Sequence, residues 1–315
     1  MSEEVVTCMV CGKTFKNDRA LHCHIKEHNL YLAEYYTKYH SRFSKLNKTP
    51  IPFKKGMSKA QYFNQDFIDK KEMDAWLKSA DDEEVKNYIY KLIKNRVKEK
   101  DLNYTPSHLE LVVNKLPGID FYIKHFGSYS EVANLLGIKP MFSKKIPAGF
   151  FNQTPDMKIF IDTREQLPLS FKKSEFMKLD FGDYTAAGEN YSYTYVDRKS
   201  ANDFIGTLSL KNIDRFKREL ERARMANSYI FVVIDSSLDG VESYIRSAKR
   251  NKFGPSKISM SFIYHNMREV AHEFKGVCQF IFSGSRESSE SIIPKILFFG
   301  ERIWDVDLQY YLDKR

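Results

Sequence analysis

Ile161-Asp162-Thr163-Arg164-Glu165, Asp180-Phe181-Gly182-Asp183-Tyr184 and Val196-Asp197-Arg198-Lys199-Ser200, with Asp203 just behind, lie between Ile161 and Leu208 and decide how this chain is read. Apolar runs lead into the charged residues. Residues 157–161 and 192–196 predict short buried strands, and 229–235 has the unbroken apolar run of a central strand. Residues 212–226 predict an amphipathic helix with Ile213, Phe216, Leu220 and Ala223 on its apolar side and Arg215, Arg218, Arg222 and Arg224 on its polar side. Strand, helix, parallel strand is a crossover unit. A further strand over 278–282, between helices over 257–274 and 288–304, completes an α/β domain with a mixed sheet flanked by helices.

Side chains two apart on a strand project from the same face, so Asp197 and Lys199 point together and Asp183 can meet them from the neighbouring segment. Phosphodiester hydrolysis needs oxygen ligands for Mg(II) or Mn(II), a water activated by that metal, and a cation near the phosphate. Asp183 and Asp197 suit the first requirement and Lys199 the last. The Asp-Arg-Lys triplet alone would be an ordinary surface feature; the ordered set carries the argument.

That set, followed by Leu208 and the helix bearing Arg215, resembles the XPF-type nuclease domain of the PD-(D/E)XK class over roughly residues 157–300. The resemblance implies a restriction-endonuclease-like fold. It also implies that Asp183 and Asp197 hold the catalytic metal, that Lys199 is catalytic and that Asp162 is a further active-site acid. Arg164 and Glu165 are implied as orienting neighbours, Asp203 as a buttress for Lys199 or Arg198, and Arg215, with Arg218 on the same helix, as a contact to the DNA backbone. Two departures stand out. The family usually has Glu where this chain has Asp197, and the chain stops at Arg315 without the tandem helix-hairpin-helix of many relatives.

The chain has 315 residues, and 50 Lys and Arg against 41 Asp and Glu give a net charge of +9, which favours a polyanionic partner. Four cysteines are too few for a disulfide framework and suit a reducing compartment. Without a long apolar run or an apolar leader, the chain is expected to be soluble and away from membranes: cytoplasmic in a bacterial or phage-infected cell, and nucleoid- or nucleus-associated in a eukaryote.

Before the nuclease stretch, Cys8-x2-Cys11-x12-His24-x3-His28, with Phe15 and Leu21 between the pairs, has the spacing for tetrahedral Zn(II) and resembles a two-cysteine, two-histidine zinc finger, a small ββα unit. Cys23 is the spare thiol. The finger positions that face bases in that family fall on Asn17, Ala20 and Cys23, with Arg19 auxiliary, which leaves Asn17 and Arg19 as candidate DNA contacts. The tyrosine-rich stretch 29–43 predicts a helix whose aromatic stripe is for packing, 44–59 reads as a basic linker, and 60–100 is helical. Residues 104–140, with Phe126-Gly127-Ser128-Tyr129 leading into a helix that ends at Gly137, resemble the helical repeat associated with homing endonucleases. That resemblance implies DNA contacts at Lys124, His125, Ser128 and Tyr129.

The expected order is therefore zinc finger 1–30, helical and basic linker region 31–100, helical repeat 101–141, linker 142–156 and nuclease domain 157–315. The expected function is a divalent-metal DNA endonuclease of homing type, from a phage or mobile element, placed on double-stranded or branched DNA by its N-terminal modules. A structure-specific repair nuclease and a non-catalytic DNA-binding protein with a decayed nuclease fold are the rivals. Nicking as a monomer and double-strand cutting as a homodimer through the nuclease domain both fit the sequence.

Overall fold

The computed structural model describes residues 5–54, 56–187, 192–250 and 259–315, without the side chains of 248–250. It divides into two compact units, 1–88 and 89–315.

In the first unit a two-stranded hairpin, β1 (Val6–Thr7) and β2 (Thr14–Phe15), precedes α1 (Asp18–Ile25), as expected for the finger. There follow α2 (Leu32–Tyr39), α3 (Lys59–Phe63), α4 (Lys70–Ser79) and α5 (Asp82–Lys100), whose later turns belong to the second unit. The tyrosine stripe is indeed for packing: Tyr35 and Tyr36 are buried against Leu21, Ile25, Phe53 and Tyr62, and the Tyr35 hydroxyl accepts from the Met9 N–H at 2.9 Å. Residues 44–59 are not a free linker. Ser44, Ile51 and Phe53 are buried, and Lys59 pairs with Asp18 at 2.8 Å. A finger too small for a core of its own gains one from these neighbours.

The second unit adds α6 (His108–Val113), α7 (Ile119–Phe126) and α8 (Tyr129–Leu136), then β3 (Ile159–Asp162), β4 (Ser174–Met177), β5 (Tyr184–Ala186), β6 (Thr194–Lys199), α9 (Ala201–Thr207), α10 (Ile213–Met225), β7 (Tyr229–Ile234), α11 (Leu238–Arg250), α12 (Met260–Glu273), β8 (Cys278–Phe282), α13 (Arg286–Phe299) and α14 (Leu308–Leu312). The start of the helix expected at 257 lies outside the described residues. The strands form one mixed sheet in the order β4-β3-β5-β6-β7-β8. β5 runs antiparallel to both neighbours, and β6, β7 and β8 are parallel.

Strand alternation divides the unit into two apolar cores. Tyr195, Ile230, Val232, Ile234, Phe280 and Phe282 face one, with Phe204 of α9, Phe216 of α10 and Met267 of α12. Val196, Tyr229, Phe231, Val233 and Ile281 face the other, with Ile293 and Ile296 of α13. The repeat helices belong to this unit as well. Leu109 of α6 enters the first core, the His108 N–H donates to Asp307 at 2.8 Å, and buried Glu110 accepts from Arg96 at 2.9 Å and meets His272 at 3.2 Å. Phe150, in the segment expected as a linker, is buried in the second core. Among the described residues no helix is long and apolar enough to cross a membrane.

Truncating Leu109 should therefore weaken the sheet itself. Leu109→Ala should cost about 2–4 kcal/mol and lower hydrogen-exchange protection of the β7 and β8 amides. Unchanged protection there would mean that α6 is not part of this core.

Candidate active site and zinc centre

β6 carries the site because its alternation continues past the apolar residues. Tyr195 faces the first core, so Asp197 and Lys199 share its side and Arg198 takes the other. Asp197 is 8% exposed, and the Lys199 ammonium donates to both its oxygens, at 2.9 and 2.7 Å. Burial alone would lower the Lys199 pKa, but the Asp197 carboxylate reverses this and holds it above the ordinary value. Its Nζ also lies 5.7 Å from the centre of the Phe216 ring.

Asp183 reaches the same face from the start of β5. Gly182 makes this possible: its φ is +56°, and a Cβ there would stand 2.7 Å from the Val196 carbonyl oxygen. The Asp183 N–H donates to that carbonyl at 2.8 Å, and its carboxylate accepts the Arg198 N–H at 2.7 Å. Burial first, then repulsion from Asp197, push the Asp183 carboxyl well above the ordinary carboxylate range.

A fourth group, Glu219, was not foreseen from the sequence. It lies on α10 one turn beyond Phe216 and accepts the Gly182 backbone N–H; burial and then the Asp197 charge raise its pKa. The arginines of that helix draw attention to its polar side. The one available signal is that Glu219 adjoins the apolar stripe of Phe216, Leu220 and Ala223.

The other expected residues lie elsewhere. Asp162, 1% exposed, is saturated: Arg164 donates from its backbone N–H, Nε and Nη2, each at 2.7 Å, and the Leu179 N–H donates at 2.8 Å. The Arg164 side chain foremost holds the Asp162 pKa at about 2. This pair closes a turn, and each Asp162 oxygen accepts two donors. Glu165 accepts from Arg198 at 3.1 Å, beside Asp235, which takes the other guanidinium nitrogen. Asp203 does not buttress Lys199 or Arg198; it accepts from Ser200, whose hydroxyl caps α9.

The two metal sites expected from sequence differ in how far they are assembled. Cys8, Cys11, His24 and His28 bring one ligand atom each within 4.8 Å of all the others. Gly12, in the left-handed region, lets the chain fold back so that its N–H donates to the Cys8 carbonyl at 2.8 Å. His24 Nδ1 donates to Glu27 at 2.8 Å, which turns Nε2 toward Cys11 Sγ at 3.1 Å and His28 Nε2 at 3.0 Å. Such a donor set fits Zn(II), and exposed Cys23 lies outside it. Among the described residues, no third acid joins Asp183 and Asp197 in comparable mutual reach. The pair nevertheless suits a hard cation, because Lys199 balances the charge of Asp197 while burial and then Asp197 disfavour the charge of Asp183, which a bound cation would restore.

Among the expected DNA contacts, Arg19, Lys124, Arg215 and Arg218 are exposed and His125 is half-buried. Three others hold local structure: Asn17 caps α1, Ser128 caps α8, and the Tyr129 hydroxyl donates to the Pro106 carbonyl at 2.8 Å.

No family model matches this chain, and no curated protein matches it. Among solved structures, XPF from Aeropyrum pernix in complex with DNA is similar at a TM-score of 0.32 and 16% identity, over 45% of this chain and 62% of that one. The match thus spans less than two thirds of that protein.

Two outcomes are expected. Asp162→Ala leaves the Leu179 N–H without its acceptor and frees the largely exposed Arg164 side chain, and should cost about 1–3 kcal/mol in urea unfolding at neutral pH. The Asp162 pKa is lowered from its ordinary 3.8 to about 2, so its contribution is present above 3.8 and lost as pH falls toward 2; the variant's acid limb should be the flatter one. For the finger, elemental analysis should find one zinc per chain. Cys8→Ser should remove it and open residues 5–54 to protease; a zinc-free chain with an equally resistant N-terminal unit would defeat the assignment.

Proposed function

We propose that this protein is a divalent-metal-dependent DNA endonuclease whose second unit cuts and whose zinc finger helps to hold the DNA. The observation that carries this reading is the convergence of Asp183, Asp197 and Lys199 on one face at the end of β6, where Lys199 pairs with Asp197 and leaves Asp183 without a cation of its own. Asp183 and Asp197 would hold Mg(II) or Mn(II), which when bound supplies Lewis acidity to the phosphate and a more acidic water. Lys199, held by Asp197 in a low-dielectric setting, is placed to donate to a phosphate oxygen as negative charge develops there. Glu219 positions the Gly182 turn on which Asp183 depends. Exposed Arg215 and Arg218 on α10 offer charge to the flanking backbone.

Homing to a preferred site, an origin in a phage or mobile element, and double-strand cutting by a homodimer are the finer proposals.

The test is cleavage of plasmid and branched oligonucleotides by the full chain. With Mg(II) or Mn(II) it should cut, with EDTA it should not, and Lys199→Ala and Asp183→Asn should each lower the single-turnover rate by about 10²-fold or more. Glu219→Gln, which keeps a side-chain acceptor for Gly182, should lose no more than about tenfold. Cleavage that persists both in EDTA and in Lys199→Ala would sink the assignment. Discrete plasmid fragments would favour the homing reading, and cuts confined to junctions would favour repair.

A further inference from the structure

The sheet face that carries Asp183 and Asp197 is not covered across its whole width. Helices α9, α10 and α12 pack over β6, β7 and β8, whereas over β3 and β5 the same face opens into a cavity of about 350 Å³, large enough for a small ligand. Strand register places it. Tyr195 pairs with Thr185 and Thr185 with Phe160, so these three form a row across β6, β5 and β3, and all three line the cavity. Asp183 lies two residues before Thr185 and Asp197 two after Tyr195, so the two acids occupy the next row of the same face, about 7 Å along the strands.

The lining decides which part of a nucleotide fits. Leu179 walls the apolar floor, and the rim carries one cation, Lys178, and one anion, Asp180, both exposed and neither ion-paired among the described residues. A nearly neutral seat with aromatic rings in its floor and one donor and one acceptor at its edge suits a flat heterocycle rather than a phosphate. The cations a phosphate needs stand alongside, on α10. Arg218 and Arg222 lie four residues apart on one helix face, both are exposed, and neither makes an ion pair among the described residues. Glu219, the acid beside them, is turned to the Gly182 N–H. The Arg222 guanidinium lies 5.7 Å from the centre of the Phe181 ring, and Phe181 packs edge-on against Tyr195 of the cavity floor at 5.3 Å.

We propose that this cavity receives the base of the nucleotide next to the scissile phosphate, turned out of its stack, while Arg218 and Arg222 hold phosphates of the same strand. Continuity fixes the occupant. A strand whose scissile phosphate sits at Asp183, Asp197 and Lys199, and whose backbone follows α10, has its neighbouring nucleotide over Tyr195. A cavity floored by three side chains admits a single base and not a base pair. The proposal rests on the nuclease reading and names the substrate within it: DNA with an unpaired or easily unpaired base at the cut.

The test uses the full chain, wild type and three variants. Ala187→Trp fills the cavity from its half-buried edge, Phe160→Ala removes part of the floor, and Arg222→Gln removes an exposed cation. The probes are two duplexes of one sequence, one fully paired and one with a central unpaired base replaced by the fluorescent analogue 2-aminopurine, bound in Ca(II). The wild type should bind the unpaired duplex about tenfold more tightly, because the cost of extruding the base is already met, and the emission of the analogue should change on binding. Ala187→Trp and Phe160→Ala should bring the two affinities together and abolish the emission change, with the melting temperature of Ala187→Trp as the check on folding. Arg222→Gln should weaken both duplexes about three- to tenfold and lower the slope of log affinity against log salt by about one. In Mg(II) the wild type should cut beside the unpaired base. A protein that cuts nothing, yet prefers the unpaired duplex and loses that preference in Ala187→Trp, would support the base site while the nuclease reading failed. A protein that cuts in Mg(II) but binds the two duplexes equally, or keeps its preference in both cavity variants, would overturn the base site and leave the nuclease reading standing. Neither cutting nor preference would overturn both.

Discussion

β6 runs between two apolar cores, and its last three residues are charged. Everything else at this end of the second unit's sheet is arranged around that conflict. A charge leaving a low-dielectric sheet must be paired within reach, and alternation sends the three side chains to opposite sides. Asp197 and Lys199 solve the problem between themselves on one face. On the other, Arg198 needs Glu165, Asp235 and the Leu167 carbonyl, which it reaches at 2.9 Å. Arg286 of α13 donates to the same carbonyl at 2.9 Å, so two guanidinium groups hold the loop after β3 against the strand ends. The pairing of one strand end thus fixes the loop, β7 and α13 together.

The same strand end positions Asp183. Asp183 lies at the start of β5, where its carboxylate meets the Arg198 N–H, but its backbone can approach Val196 only because Gly182 has no Cβ. Glu219 then accepts the Gly182 N–H, so α10 supports from outside the turn that β6 accommodates from inside. The helix contributes its phenylalanine to the core, Phe216, and its acid to the site from adjacent turns of one face.

How much of this could be read from the sequence depends on how local each cause is. The finger was legible because metal-ligand spacing is set within one hairpin and one helix, and all four expected ligands converge. The long apolar strands were legible for the same reason. β4 was not, since Ser174–Met177 is exposed throughout and lies at the sheet's edge, and β5, Tyr184–Ala186, is too short to show a period. Residues 44–59 look like a linker because Pro50, Pro52 and Gly56 punctuate them, yet Ile51 and Phe53 are buried by the distant Tyr36 and Tyr62. In the site, strand spacing was enough to place Asp197 beside Lys199. It could not distinguish Arg198, which belongs to a structural network, or reveal Glu219, whose role depends on a turn far away in the chain.

The contrast between Asp162 and Asp183 shows why acids at neighbouring strand ends cannot be given one role. Both are buried or nearly so, and the Asp162 N–H donates to the Asp183 carbonyl at 2.8 Å. Asp162 receives two side-chain and two backbone donations from Arg164 and Leu179, and its charge is fully stabilised within the chain. Asp183, facing Asp197, receives the Arg198 N–H among the described residues, and Lys199 is already committed to Asp197. The Arg164 donations hold the Asp162 pKa down at about 2, whereas burial and then the Asp197 charge push that of Asp183 well above the ordinary range. Asp162 thus has its charge met by four donors from within the chain, and Asp183 does not. The strand end that resolves the Asp197 and Arg198 charges leaves that of Asp183 open.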